Sequence, residues 1–438
     1  MQQEEEDPMI THPAKTGPHI EKDRLYVIEQ YNKILQPIQP LPVKVPRSPE
    51  QILLEHSDRL TEFEKTEILQ YPEVYAFGQF ANKKELTDDN SNQHTDDPNS
   101  LHVSPHDHIA YRYENLRDLG EGGYSTVFSA MDHLTDQRVA VKVLKRNTSL
   151  VYGEIKMLLY IRERDPDNAS KCIHLLEFSK FRKHLYLVLE LYATNLGNYL
   201  YCSKLADDAT DQKKSTAKRI GKAILTGMRF LQEHEIIHGD LKPSNILLNG
   251  NDVDGLKIAD FGLSVLSKHA HPKSIFQTIV YRAPEVFFLE TATTAIDMWS
   301  FACMLGDIHF QFPFLKGEDG PDQIFLIQTM LGTPKVEFLR KCNGSRMFFN
   351  AQLQPVIRGW NPNEYFVDKN RDSQNRIIHK SPFSKYSTAD LPLTLDNHFE
   401  HREDLRATLG PLMDQIMMYE PEKRITPAEA LIHPFYQD

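Results

Sequence analysis

Apolar residues are sparse along the first hundred positions, become dense at Tyr111 and stay so almost to the C-terminus. Residues 1 to about 48 are polar and proline-bearing, ending in LQPIQPLPVKVPRSP. They read as a flexible segment with one short helix near DRLYVIEQYNKIL. From SPEQILLEHSDRLTEFEKTEILQYPEVYAFG the spacing turns helical, with Ser48 as the N-cap before Pro49. The acidic stretch LTDDNSNQHTDDPNS reads as a loop. Beyond it, two β-patterned segments flank DLGEGGYSTVFSA, RVAVKVL is a strand, YGEIKMLLYI is helical, and LYLVLELYATN and LKIADFGLS are strands. Residues 343 to 400 interrupt the apolar region with mixed polar sequence and read as an insert. There is no internal repeat.

Composition narrows this picture without deciding it. A chain of 438 residues has room for two or three structural units. A net charge of −11 argues against nonspecific nucleic-acid binding. Cys172, Cys202, Cys303 and Cys342 share no short spacing, which fits a reducing compartment without a zinc or disulfide framework. MQQEEEDPMITHP is acidic and lacks the apolar core of a secretory signal, and no apolar run approaches the length of a membrane span. The expectation is a soluble cytoplasmic protein, with nuclear residence left open because the basic cluster VLKRN lies inside the apolar region.

The candidate chemistry lies in the order of a few polar residues. Glycines in DLGEGGYSTVFSA let backbone N–H groups approach phosphates closely. Alone this is weak, since Ser125 replaces the third glycine of G-x-G-x-x-G and a hairpin turn explains it as well. Lys142 sits among apolar residues in RVAVKVL and needs an anionic partner, which Glu154 supplies from the following helix. In phosphoryl transfer such a pair positions the α- and β-phosphates. LYLVLELYATN places Glu190 and Leu191 where an adenine would find backbone donors and acceptors. Leu119, Gly120, Glu121, Gly122, Gly123, Val127, Ala140 and Leu247 are the remaining candidates for lining a nucleotide site.

HEIIHGDLKPSNILL then offers Asp240 as acceptor of a hydroxyl proton, Lys242 to neutralise a transferred phosphoryl group, and Asn245 to ligate Mg²⁺. Asp260 of DFG is the second candidate metal ligand. Each element has a bland reading: a surface Lys–Glu pair, an Asp-x-Gly turn. Their joint order carries the weight. YRAPE ends at Glu285, whose natural partner is Arg424, and DMWS places Asp297 and Trp299. Thr278 stands seven residues before Glu285, within reach of Asp240 and Lys242, a feature of Ser/Thr rather than Tyr phosphorylation.

With these motifs the chain resembles a eukaryotic protein kinase over residues 111 to 436. The insert and FLKGEDGPDQIFLIQTMLG are similar to the CMGC group. HDHIAYRYENL, LTEFEKTEILQYPEVYAFGQFANKK and AIDMWSFACML are similar to the pre-kinase box, accessory region and core of the second class of dual-specificity tyrosine-regulated kinases. Homeodomain-interacting kinases share much of the core but not this accessory region. The resemblance implies an α+β, bilobal fold: a β-rich small lobe over about 111–190, a helical lobe over 191–436, and ATP between them. An accessory unit over 49–110 is expected to pack on the small lobe. It also implies Mg²⁺, protein substrates, no direct nucleic-acid or membrane partner, and a monomer.

The chain departs from that family in three places. Many kinases have arginine before the catalytic aspartate; here it is Gly239, and in this family arginine is commonly absent there. The family's activation-segment tyrosine pair falls on Lys273 and Ile275, and the arginine near YRAPE falls on Ile279, so a phosphate site and one of its ligands are missing together. Only Arg282 remains of that cluster. Ile275 and Ile279 are expected to order the segment by burial instead. Finally, two of three positions that hold an upstream basic substrate residue are neutral, Ser244 and Asn198, and only Asp307 is acidic. Against an active Ser/Thr kinase, proline-directed by virtue of Arg282, stand a nucleotide-binding pseudokinase scaffold and a small-molecule kinase. YRAPE and the CMGC insert disfavour the last.

Overall fold

The computed structural model describes residues 46–83, 100–145, 151–203, 211–250, 252–272, 276–310, 314–349 and 403–437. The helix expected near residues 23–35, most of the acidic loop, positions 350–400 of the insert, and Lys273 and Ile275 lie outside them.

The fold is α+β and bilobal. The small lobe is an antiparallel sheet of β1 (His108–Ile109), β2 (Tyr113–Glu121), β3 (Ser125–Asp132), β4 (Gln137–Leu144), β5 (Leu175–Phe181) and β6 (His184–Glu190), in the order β1-β2-β3-β4-β6-β5. Alternation along β4 sends Val139, Val141 and Val143 into a core with Phe128, Tyr186 and Val188. Lys142 points to the opposite face, toward the helix Val151–Arg164. The β3–β4 register is unbroken from Ser125↔Leu144 to Asp132↔Gln137, whereas the β2–β3 pairing slips at Asn115/Arg117 and Asp118/Gly120, next to the glycine turn.

The larger lobe is helical around Ala295–Phe310, whose residues from Ile296 onward are all buried. A helix apolar all round can exist only inside a core. Trp299 is fully enclosed there, and the amphipathic helix Asp211–Glu233 packs outside it. Residues 343–349 close onto Phe288 through Phe348 and Phe349, so the start of the region read as an insert belongs to this core. No helix among the described residues is long and apolar enough to cross a membrane.

Residues 46–83 pack on the small lobe. Ser48 caps the helix Pro49–His56 by accepting the Gln51 N–H at 3.3 Å, with Gln51 reaching back to the Ser48 N–H. A second capping box, Thr61 with Glu64, starts the helix Glu62–Glu67. Ile52, Leu60, Ile68, Val74 and Phe77 form a small core with Tyr111 from the β1–β2 turn. A buried ionic cluster joins the two parts. Arg182, in the β5–β6 turn, donates to Glu67 at 2.8 and 3.0 Å and to Glu64 at 3.3 Å. Lys83 and His108 meet Glu64 at 2.7 and 3.1 Å, and the Tyr111 hydroxyl donates to Glu67 at 3.0 Å. Burial works against the charge of Glu64, but His108 and Lys83 outweigh it and hold its pKa well below the usual range.

Removing one partner from such a cluster strands the rest in a low-dielectric site. Arg182→Met is therefore expected to destabilise the chain by about 3–5 kcal/mol in urea unfolding, and a change within error would show the cluster to be incidental.

Candidate active site

The cleft between the lobes gathers polar residues from distant parts of the chain. The Lys142 ammonium lies 2.7 Å from Glu154 Oε1 and 2.9 Å from Asp260 Oδ1. One cation thus ties β4, the helix Val151–Arg164 and the large lobe together. Burial favours the neutral form of lysine, but the two facing carboxylates outweigh it and raise the Lys142 pKa. Glu154, buried and facing a second carboxylate in Asp260, is pushed up despite Lys142. For Asp260 burial again acts against the charge, and Lys142 more than offsets it, so its carboxyl is held low. Asp260 sits at φ +63°, in the left-handed region, which aims its side chain back into the cleft.

The loop before the strand Ile246–Asn249 carries Asp240, Lys242 and Asn245. Asp297, near the start of the buried helix, accepts the N–H groups of His238 at 2.7 Å and Gly239 at 3.0 Å. His238 is fully buried, hydrogen-bonded to the Ala259 carbonyl at 3.0 Å, and packed on Phe261. Asn245 donates from Nδ2 to the Asp240 carbonyl at 2.8 Å. Thr278 donates to Asp240 Oδ1 through both its N–H, at 3.0 Å, and its hydroxyl, at 2.8 Å. Lys242 Nζ lies 3.1 Å from both Thr278 Oγ1 and Asp240 Oδ2. Asp240, Lys242 and Thr278 therefore form one hydrogen-bonded set.

The nucleotide-lining candidates fall on the walls of the same cleft. Leu119, Gly120 and Glu121 end β2, Gly122 and Gly123 follow in the turn, and the Gly122 N–H donates to the Ser125 carbonyl at 2.8 Å, closing its tip. Among the described residues, nothing beyond the immediate chain neighbours lies within 4 Å of a Cβ at Gly120 or Gly123, so the missing side chains leave the backbone open to a ligand. Glu121 is turned outward to Lys145 at 3.0 Å. Val127 and Ala140 lie on adjacent strands, Ala140 opposite Leu189. Leu247 lies on the strand Ile246–Asn249 and Leu191 just past the end of β6. The Glu190 carboxylate accepts from Asn168 Nδ2 at 2.6 Å and from the His174 N–H at 3.0 Å, bracing the segment that links the lobes. Nothing in the local pattern of residues 165–174 had marked Asn168.

Below the cleft, Arg424 and Glu285 form a buried bidentate pair, 2.6 Å at its Nη2 contact, stacked against Trp299. Arg282 donates from Nε and Nη2 to the Gln277 carbonyl at 3.0 and 2.8 Å. Gln277 sits at φ +63° and its side chain bonds Ile296, Ser300 and Ala283, a hub with no local sequence signal. Asp307, expected to face substrate, is buried instead: it accepts the Tyr281 hydroxyl and the Phe314 N–H, each at 2.7 Å, and burial pushes its carboxyl up to about 7. Ile279 is only half-buried on the core. Phe276, by contrast, is enclosed.

A bridged lysine, a loop with aspartate and asparagine, and a second cleft aspartate stand together in one cleft, as the sequence motifs led one to expect. The protein kinase domain matches residues 113–436, and the chain belongs to the protein kinase family. Within that family it is similar to dual specificity tyrosine-phosphorylation-regulated kinase 2 of Drosophila melanogaster, 32% identical over 405 residues, covering 91% of this chain and 52% of that protein. It is also similar to kinase 3 of the same name in Homo sapiens, 29% identical over 407 residues, 90% of this chain and 66% of that protein. The Caenorhabditis elegans kinase mbk-2 is 31% identical over 392 residues, 88% of this chain and 46% of that protein. The chain thus spans about half the length of the fly and worm relatives.

Burial pushes the Asp297 carboxyl from 3.8 up to about 6, although His238 and the two N–H groups oppose it. The native state therefore holds a proton that the unfolded chain releases first. The resulting stabilisation is complete below about pH 4 and is lost as pH rises through about 6. Asp297→Asn cannot ionise, so its stability should vary less between those values than that of the parent chain in parallel urea titrations. Identical slopes would remove Asp297 as their source.

Proposed function

We propose that the chain transfers the γ-phosphoryl group of ATP to serine or threonine in protein substrates. What carries the reading is the Lys142 bridge between Glu154 and Asp260, formed while Thr278, Lys242 and Asp240 are also joined. A scaffold without turnover has no need of that joint arrangement. The donor set suits magnesium: Asn245 uses Nδ2 toward Asp240, and Asp260 uses Oδ1 toward Lys142. Asn245 keeps its Oδ1 and Asp260 its Oδ2 without a described protein partner, and hard oxygens are what Mg²⁺ takes. When bound, the ion supplies charge neutralisation between phosphates. The chain's own residues do the rest. Lys142 orients the α- and β-phosphates, Asp240 takes the hydroxyl proton, and Lys242 stabilises charge on the group in flight.

Substrate selection follows from the activation segment. The Gln277 carbonyl is already held by Arg282 and cannot accept an N–H from the residue after the acceptor. Proline has no such N–H to leave unsatisfied, so it is favoured there. Upstream, Ser244 is exposed and neutral, Asn198 is neutral, and Asp307 is enclosed. None of the three offers a free carboxylate to an arginine.

In a ³²P-transfer assay on a generic protein substrate, Lys142→Met, Asp260→Asn and Asp240→Asn are each expected to lose about 10²–10⁴-fold or more in rate without unfolding. Near-parental turnover in any of them would remove its assignment. A positional peptide library should show proline as the strongest preference after the acceptor and only a weak one for upstream arginine. Dominance of arginine would refute the second half and leave the first to stand alone.

A further inference from the structure

Gly239 raises the question of what orders the loop beside the catalytic aspartate. Between Asp260 and Glu285 the only tyrosine is Tyr281, and its hydroxyl is committed to Asp307 inside the protein. The space over Gly239 is nevertheless filled. Phe276 is 3% exposed, and a Cβ built on Gly239 would lie 2.7 Å from its Cδ1 and 3.2 Å from the Leu263 carbonyl oxygen. Gly239 itself sits at φ +77°, where a side chain is disfavoured. The two residues are a matched pair, one with no side chain and one with a ring in its place.

The ring stands at the start of the contacts that join the segment to the loop. The Gln277 N–H donates to the Gly239 carbonyl at 2.6 Å. Thr278 then spends both its donors on Asp240 Oδ1. From the other side, Ser264 donates to the His238 carbonyl at 2.8 Å, and Asp297 holds the two N–H groups beneath. On the Phe276 side the loop is held by apolar packing.

We propose that Phe276, seated on Gly239, is a positioning residue that fixes the Asp240 carboxylate, so that the activation segment is ordered without a phosphotyrosine. The proposal rests on the phosphoryl-transfer reading. Phe276 reaches the reaction only through Gln277, Thr278 and Asp240. Packing of a large ring in a dry site replaces the charge-assisted hydrogen bonds that a phosphate would make.

The test uses the full chain, expressed in bacteria and treated with phosphatase, as parent, Phe276→Ala, Phe276→Leu, Gly239→Ala and Gly239→Ala/Phe276→Ala. The parent should transfer phosphoryl without any tyrosine phosphate. Phe276→Ala should lose about 10²-fold in kcat, the scale of a misplaced catalytic group. KM for ATP should stay within about twofold, since ground-state binding is untouched. Phe276→Leu should restore most of the rate. Gly239→Ala should also be slow, and the double variant no slower than the slower single, because both changes remove one contact. Independently of turnover, amide hydrogen exchange at Gln277 and Thr278 should quicken at least about tenfold in Phe276→Ala. In Asp240→Asn the Gln277 amide should stay protected.

Unchanged exchange with unchanged kcat in Phe276→Ala, strictly additive losses, or parental activity that returns only with phosphate on Tyr281 would each overturn the proposal. If Phe276→Ala does not fold, Phe276→Leu is read by the same exchange measurement. A parent chain that transfers no phosphoryl group would refute the kinase reading. The exchange data would still decide whether the ring orders the loop.

Discussion

The arrangement of this molecule turns on one buried cation. Lys142 is fixed in the middle of β4, paired on one side with Val127 and on the other with Leu187, and its ammonium must find anions where it emerges. Glu154 and Asp260 meet it from two different elements. A lone ammonium in such a place would be costly, so the helix and the large lobe are drawn to the sheet at one separation. That separation sets the width of the cleft. The group proposed to orient phosphates, its carboxylate partner and a candidate metal ligand are thereby placed in one step.

The catalytic loop is held on a similar principle but from the opposite side. Asp297 accepts two successive backbone N–H groups from inside a helix buried from Ile296 to Phe310. His238 fills the space between that helix and Phe261, and its imidazole ties the loop to Ala259, one residue before Asp260. Polar contacts from below and beside thus leave Asp240 aimed into the cleft. The Arg282–Gln277 contact beside it shapes the surface that a substrate backbone would meet.

At the far end of the small lobe the logic recurs. Arg182 sits in a tight turn, with φ +45°, and its guanidinium is shared by Glu64 and Glu67 from the accessory helix. Apolar contacts around Tyr111 exclude water from these charges, and the charges fix which way the helix lies. The sheet bearing Lys142 is therefore braced on the side away from the cleft.

Much of the site was legible in the sequence because its chemistry is local. Lys142 declares itself as a charge within an apolar strand, Ser48 as a cap before Pro49, and Asp240 to Asn245 as one short loop. Glu285 and Arg424 were read as partners because a buried charge needs its opposite. What only the tertiary structure decided were contacts with no sequence period: Phe276 over Gly239, Gln277 as a hub, Asn168 behind Glu190, and Arg182 reaching Glu67 across 115 positions. Asp307 shows the limit most plainly. It matches a position that holds a basic substrate residue in similar kinases, on a helix expected to be buried, and there its carboxylate accepts the Tyr281 hydroxyl. Residue type and spacing determine which groups need partners. Which partner is met depends on how the chain folds back on itself, and that is set by packing over the whole molecule.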